Sequence, residues 1–486
     1  MQFNSFHFLL FFLVVVTVAI LLRRRTTLRN AALLAASYYF YACWDWRLLS
    51  LILISTTVDF LCGLAFDSRE LDTNRRPRRT LRHKLIFASS LVTNLGLLGF
   101  FKYYDFFLDS AVTLLDALGF RADPWSLRII LPVGISFYTF QTLSYTFDLY
   151  RGRITTERNP LTFALFVAFF PQLVAGPIER ARNLLPQLSR PTVVTRARVY
   201  SGMYLILWGL FKKTVLADNV GTFATSVFSH EPASGLFSLL GAYAFTIQIY
   251  CDFSAYSDIA RGTARCMGID IMLNFNLPYF STGPIDFWRR WHISLSTWLR
   301  DYLYVPLGGN RGGAARTYFN LMATMTLSGL WHGAGWNFVL WGFFCGLLLV
   351  ANRASLPTLQ RIDIPEQSIR SSLWWLVQAL ASFHGWVISM VLFRADSVGY
   401  AMNMYSDILT NFPGRIPTWV SFNSALALLA CGLVLLAVQT AQHRTRDLNF
   451  VFRLPTPLRS LYYAAMVLGI IVFGSLGGET FIYFQF

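Results

Sequence analysis

The chain has 486 residues, 55% of them hydrophobic and only 14% charged, with a mean hydropathy of +0.47. A soluble protein carries about 45–50% apolar and about 25% charged residues, so this composition excludes a typical cytosolic enzyme, a disordered chain and a small secreted scaffold. The 41 basic against 25 acidic residues give a net charge of +16. Beside apolar runs that recur from Phe3 to Leu476, this excess reads as orientation in a lipid bilayer and not as nucleic-acid binding, for which no RNP-type or zinc-finger pattern is present.

The first apolar run, Phe3 to Leu22, has about the 20 residues a span needs. No positive region precedes it, and Arg23, Arg24 and Arg25 follow it, the reverse of a signal peptide. It is expected to be a retained first helix with its N-terminus outside. Further apolar segments lie near 31–41, 48–66, 85–108, 129–150, 161–175, 199–216, 236–259, 287–307, 317–335, 336–350, 373–393, 425–438 and 461–476. Those at 31–41, 161–175 and 287–307 are too short or too polar for simple spans and are expected to be short, re-entrant or interfacial. Placing 23–29, 67–84, 151–158, 177–198, 261–316, 353–370 and 441–459 inside collects 33 of the 41 basic residues there, against Arg47, Arg121, Arg128, Arg394 and Arg415 outside. That asymmetry favours this orientation over its inverse. It requires 161–175 and 287–307 each to enter and leave on one side. No repeat and no long linker interrupts the pattern, so residues 1–486 are expected to form a single membrane-embedded domain. Cys43, Cys62, Cys251, Cys266, Cys345 and Cys431 are scattered, mostly in apolar runs, with no Cys-x-x-Cys pair. Neither a disulfide framework nor a metal site is expected.

Two regions place ionisable groups beside apolar runs. From Pro284 to Tyr304 the chain carries Asp286, Arg289, Arg290, His292, Arg300 and Asp301 among aromatic residues. On one helix Asp286 reaches Arg289 or Arg290, and Trp288, His292 and Ser296 share a face. An interfacial helix with Arg and Trp anchors would carry the same pattern; His292 is singled out as a site residue. The second region is Leu327 to Trp336, where His332 lies between apolar runs beside Trp331, Gly329, Gly333 and Gly335. If helical from Arg316, His332 lies about 24 Å along the axis, deep enough to count as an intramembrane ionisable group and hence a functional candidate. The glycines allow non-helical backbone or close approach of a ligand. Asp252 and Asp258, near the inner end of a span, suit acid–base work or, more simply, a tie to Arg289 or Arg300. The Gly-rich loop Leu307–Gly313 is a flexible turn or a weak phosphate cradle without a Walker Lys.

Four blocks carry a family resemblance: Phe170-Pro-Gln-Leu-Val-Ala-Gly-Pro177, Gln248 to Asp258, Asp286-Phe-Trp-Arg-Arg-Trp-His-Ile-Ser-Leu-Ser-Thr-Trp-Leu-Arg-Asp-Tyr302 and Trp331-His-Gly333. Together with the ending Phe481-Ile-Tyr-Phe-Gln-Phe486, they resemble the membrane-bound O-acyltransferase family, and within it the bacterial branch that serves alginate O-acetylation. The likeness runs from about residue 35 to the end of the chain. It implies an all-α polytopic membrane protein of about 11–13 transmembrane helices, with re-entrant and interfacial helices forming a funnel-shaped core. His332 matches the family's essential histidine, and His292 its second polar position. The resemblance further implies an O-acetyltransferase that takes acetyl from a cytoplasmic donor such as acetyl-CoA, with no tightly bound cofactor. Its implied acceptor is an exported polysaccharide and its implied partner a periplasmic acetyltransferase, with the chain itself in the bacterial inner membrane. Asp286, Arg289, Arg300, Asp301, Trp331, Asp252 and Asp258 are the supporting or donor-binding candidates. D-alanyl transfer to teichoic acid, a transporter or flippase without chemistry, and an export scaffold are the alternatives.

Overall fold

The computed structural model describes residues 1–66, 80–121, 127, 129–231, 234–359, 368–412, 414, 421–475 and 481–482. Most of the basic loop at 67–84, part of the loop at 353–370, Arg128, Arg415 and the terminal residues 483–486 lie outside the described residues. Every regular element among the described residues is helical: α1 (Phe6–Leu21), α2 (Thr26–Asp45), α3 (Leu49–Ala65), α4 (Leu81–Leu98), α5 (Tyr104–Ala117), α6 (Ile135–Tyr150), α7 (Pro160–Ala168), α8 (Phe170–Leu173), α9 (Ala181–Leu188), α10 (Arg196–Phe211), α11 (Asp218–Phe228), α12 (Gly235–Cys266), α13 (Pro284–Arg290), α14 (Ile293–Leu299), α15 (Gly313–His332), α16 (Trp336–Leu359), α17 (Ile369–Arg394), α18 (Val398–Thr410), α19 (Phe422–Thr445) and α20 (Thr456–Phe473). Wider, π-type turns interrupt the helical runs at Gly99–Tyr103, Lys212–Ala217 and Arg300–Tyr304.

Seven helical stretches among the described residues are long and apolar enough to cross a membrane: Thr26–Ala65, Leu81–Ala117, Gly235–Cys266, Trp336–Leu359, Ile369–Arg394, Phe422–Thr445 and Thr456–Phe473. The protein is therefore a multi-pass, all-α membrane protein. The shorter count against the implied 11–13 has a local cause. α1, α6 and α10 have 16 residues each, and the 20-residue α15 carries Arg316, Thr317, Asn320, Thr324 and His332. The segment expected to be short at 31–41 lies inside the 20-residue α2. The segment at 161–175 is two short helices, the largely buried α7 and the fully buried α8, separated at Phe169 where the backbone turns to ψ 107 before Pro171.

Two compact units divide the chain: residues 1–206 with 259–272, and residues 207–258 with 273–486. In the first, α3, α4 and α6 pack around a buried polar knot. Asp59 accepts hydrogen bonds from Ser90 Oγ at 2.5 Å and Asn94 Nδ2 at 2.9 Å, and Ser55 Oγ donates to Asn94 Oδ1 at 2.6 Å. All four side chains are buried, so each must find its partner inside the protein. Arg29, counted above among the loop charges, is instead wholly buried in α2. Its Nη atoms donate to Leu188 O at 2.6 Å and Arg190 O at 2.8 Å, where a guanidinium satisfies the free carbonyls at the end of α9.

In the second unit α15 and α16 form the tightest helix pair. A Cβ at Gly342 would lie 2.9 Å from Gly329 Cα, and a Cβ at Gly329 would lie 2.9 Å from Gly342 Cα and N. Small residues at such a crossing let two membrane helices touch backbone to backbone. Gly329 thus serves helix packing, not the approach of a ligand anticipated above.

Candidate functional site

α13 opens at Pro284, whose fixed φ and missing N–H suit a first helical position. The helix lasts only to Arg290. Trp291 is extended, His292 adopts a left-handed conformation at φ 42 and ψ 54, and α14 starts at Ile293. The shared face of Trp288, His292 and Ser296 therefore does not form, because the chain turns at His292. That turn carries the imidazole inward, where it is wholly buried.

His332 arrives from the other direction as the last residue of α15. Gly333 is extended beyond it, and the chain reverses into α16 at Trp336. The His292 and His332 ring centroids lie 6.4 Å apart. Aromatic rings enclose the pair: Phe253 stands edge-on at 4.7 Å from His292, while Trp331, Trp341 and Phe393 lie 4.9, 5.1 and 5.4 Å from His332. Trp386 backs Trp341 at 6.1 Å and Phe287 at 4.3 Å. His332 is 5% exposed. Two titratable rings buried in an aromatic enclosure are suited to moving a proton and holding a polar reacting group.

The electrostatic settings of the two rings differ. His332 stands at the carbonyl end of a 20-residue helix, where the helix dipole favours a positive charge. His292 precedes the N–H end of α14, which disfavours one.

The other candidates lie apart from this pair. Asp286 pairs with Arg290 at 3.0 Å, not with Arg289, which is exposed. Arg300 pairs with its neighbour Asp301 at 2.8 Å near the surface. Trp331 is the one supporting residue that lines the enclosure. Asp252 and Asp258 do not reach Arg289 or Arg300. Asp252 binds Lys213 at 2.7 Å and accepts the Ile482 N–H at 2.7 Å, while Asp258 binds Lys212 at 2.8 Å. Lys213 also reaches Asp218 at 2.8 Å. Both lysines sit on the π-type turn at Lys212–Ala217, which presents adjacent side chains to α12. Two lysines inside an apolar run were the available signal for this network. The glycine loop is a tight turn held by its own surroundings: Asn320 Nδ2 donates to Gly309 O at 3.0 Å and Arg316 Nη2 to Leu307 O at 3.1 Å. Among the described residues no group of three or more His, Cys, Asp or Glu is placed to hold a metal ion.

Comparison with known proteins shows the family to which the chain belongs. The sequence model described as MBOAT, membrane-bound O-acyltransferase family, matches residues 87–394, a range that includes both histidines. The chain is similar to the Azotobacter vinelandii protein named "Probable alginate O-acetylase AlgI", with 41% identity over 368 residues, 75% of this chain and 70% of that one. It is similar to the Helicobacter pylori peptidoglycan O-acetyltransferase, with 34% identity over 394 residues, again 75% and 70%. A Bacillus subtilis teichoic acid D-alanyltransferase matches at 28% identity over 237 residues, 46% of this chain and 59% of that one.

Proposed function

Because the chain belongs to the membrane-bound O-acyltransferase family, we propose that it moves acetyl from a cytoplasmic thioester donor, acetyl-CoA, across the membrane for O-acetylation of an exported polysaccharide. The observation that carries this reading is the pair of buried imidazoles, His292 and His332, 6.4 Å apart inside an aromatic enclosure. Relatives that cover about three quarters of this chain, at 41% and 34% identity, are named for O-acetylation of alginate and of peptidoglycan.

The chemistry follows from the two settings. A neutral imidazole accepts a proton at ordinary pH. As the acceptor hydroxyl attacks the thioester carbonyl carbon, His332 takes the hydroxyl proton. The C–O ester bond forms, the C–S bond breaks, and the leaving thiolate takes the proton back from His332. The imidazolium that exists in between sits at the carbonyl end of α15, which stabilises it. His292 stays neutral and donates a hydrogen bond to the carbonyl oxygen as charge builds there. Trp331, Trp341 and Phe393 keep water away, so the thioester is transferred and not hydrolysed.

The basic asymmetry of the loops supports an inner-membrane chain with its N-terminus outside and its anion-attracting side toward the donor. The attacking hydroxyl belongs to a periplasmic acetyltransferase partner, which then passes the acetyl group to the polymer. The test is acetyl ester and D-alanyl ester per unit of exported polymer in a deletion strain complemented with wild type or His332→Ala, with insertion checked by blot. Acetyl ester restored by wild type alone supports the reading. Full restoration by His332→Ala removes the catalytic assignment, and restored D-alanyl ester replaces the donor.

A further inference from the structure

His292 is one of three residues other than glycine with positive φ among the described residues. A side-chain-bearing residue enters that region only when its surroundings hold it there. The segment after α12 supplies the hold. Asn276 N–H donates to Arg290 O at 2.9 Å, on one side of His292, and Ile293 N–H donates to Asn274 O at 2.9 Å, on the other. The Asn274 side chain adds a second layer. Its Oδ1 accepts from Ser294 N–H at 3.2 Å and Ser294 Oγ at 2.9 Å, and its Nδ2 donates to Ser257 Oγ at 3.2 Å. Asn274 and Ser294 are wholly buried, and Ser257 is 2% exposed. Ser257 stands one helical turn beyond Phe253 on α12, so one face of α12 both anchors Asn274 and packs the Phe253 ring on His292 at 4.7 Å.

We propose that Asn274 is the positioning residue for His292: its side chain locks the turn at Ile293–Ser294 and thereby holds the His292 imidazole toward His332. It acts through His292 and touches no substrate. The argument rests on the catalytic reading of His292 above. Removal of the Asn274 amide leaves the backbone bond to Ile293 in place but frees Ser294 and Ser257, and the imidazole gains freedom to leave its productive orientation. A misplacement of about 1 Å costs up to about 100-fold in rate, and the loss belongs in turnover because donor binding does not involve Asn274.

The experiment measures acetyl-CoA-dependent thiol release by detergent-permeabilised inner-membrane vesicles carrying the full chain, with periplasmic extract of the same cells as the source of acceptor hydroxyl, over a range of acetyl-CoA concentrations and with His332→Ala as background. Asn274→Ala is expected to lower kcat by about 10–100-fold with the donor KM within about threefold of wild type. Asn274→Asp keeps an oxygen acceptor for Ser294 and is expected to recover kcat to within about fivefold of wild type. The proposal is overturned if Asn274→Ala keeps kcat within about twofold, if its defect lies in KM alone, or if Asn274→Asp is as slow as Asn274→Ala. Should Asn274→Ala fail to accumulate, Ser294→Ala, which removes one bond to Oδ1, decides: a kcat lowered at unchanged KM supports the proposal and an unchanged kcat overturns it. His292→Ala separates the two levels. Wild-type turnover in His292→Ala defeats the catalytic reading itself, whereas wild-type turnover in Asn274→Ala beside an inactive His292→Ala defeats only the role of Asn274.

Discussion

Lys213 lies 2.7 Å from Asp252, and both side chains are almost wholly buried, at 2% and 4% exposure. The same ammonium reaches Asp218 at 2.8 Å, so one lysine bridges two carboxylates on different helices. Removal of one partner from a buried ion pair strands the other charge, at a cost of about 3–5 kcal/mol. Lys213→Met is therefore expected to lower the melting temperature of the solubilised protein sharply. Lys212→Met is expected to cost less, because its partner Asp258 is 17% exposed and water can take over part of its solvation. Equal melting temperatures for the two variants would show that burial does not set the cost.

The candidate site residues separate into two groups by consequence. His332→Ala removes a general base and is expected to lower ester transfer by about 100-fold or more. Arg300→Ala and Asp301→Ala break a pair whose arginine is 60% exposed, and surface pairs contribute about 0–1 kcal/mol. Those variants are expected to keep near wild-type ester content. Ester assays on the three variants at matched membrane levels check this, and an inactive Arg300→Ala would place a donor contact at the surface pair.

The contrast between legible and illegible features follows the range of the interactions involved. His332 was readable because its signal is local: a polar ring at the end of an apolar helical run, followed by glycines that stop the helix. The depth of α15 follows from the same run. The break at His292 was not readable. Trp288 to Ser296 continues a helical pattern without proline or glycine, and the turn is imposed by Asn274 and Asn276 from another part of the chain. The partners of Asp252 and Asp258 were misassigned for the same reason, since Lys212 and Lys213 come from a π-type turn more than 35 residues earlier, whose extra residue no spacing rule anticipates. Asp59 escaped notice because its partners Ser90 and Asn94 are uncharged and lie on another helix. Gly329 was visible, but its purpose was not, because its partner Gly342 belongs to the next helix.

That helix contact yields its own expectation. A side chain at Gly342 would meet backbone atoms of α15, which cannot rotate away, so Gly342→Val must force α15 and α16 apart. Overpacking costs about 1–3 kcal/mol where side chains can yield and more where backbone is met. Because His332 follows Gly329 by less than one turn, ester transfer should fall together with thermal stability. Gly96→Ala, where nothing lies within 4 Å of the added Cβ, is the control and should leave both unchanged. A Gly342→Val protein with wild-type melting and activity would refute the close crossing.

Glu179 supplies a pH-dependent stability with a defined sign. It lies between α8 and α9, 1% exposed, with its carboxylate accepting the Met272 N–H. Burial pushes its pKa up from 4.5 to about 7, and the hydrogen bond from Met272 and the neighbouring Arg180 offset only part of that rise. The folded protein therefore binds this proton more tightly than the unfolded chain. The stabilisation is fully present below pH 4.5 and is lost as pH rises through about 7. Glu179→Gln keeps an oxygen acceptor for Met272 without a charge to desolvate, so it is expected to melt above wild type at pH 8, with the difference shrinking steadily toward pH 5. Melting of both proteins in one detergent across that range checks it. A Glu179→Gln variant that melts below wild type at pH 8 would mean that the ionised carboxylate is favoured in the fold, with Arg180 outweighing burial.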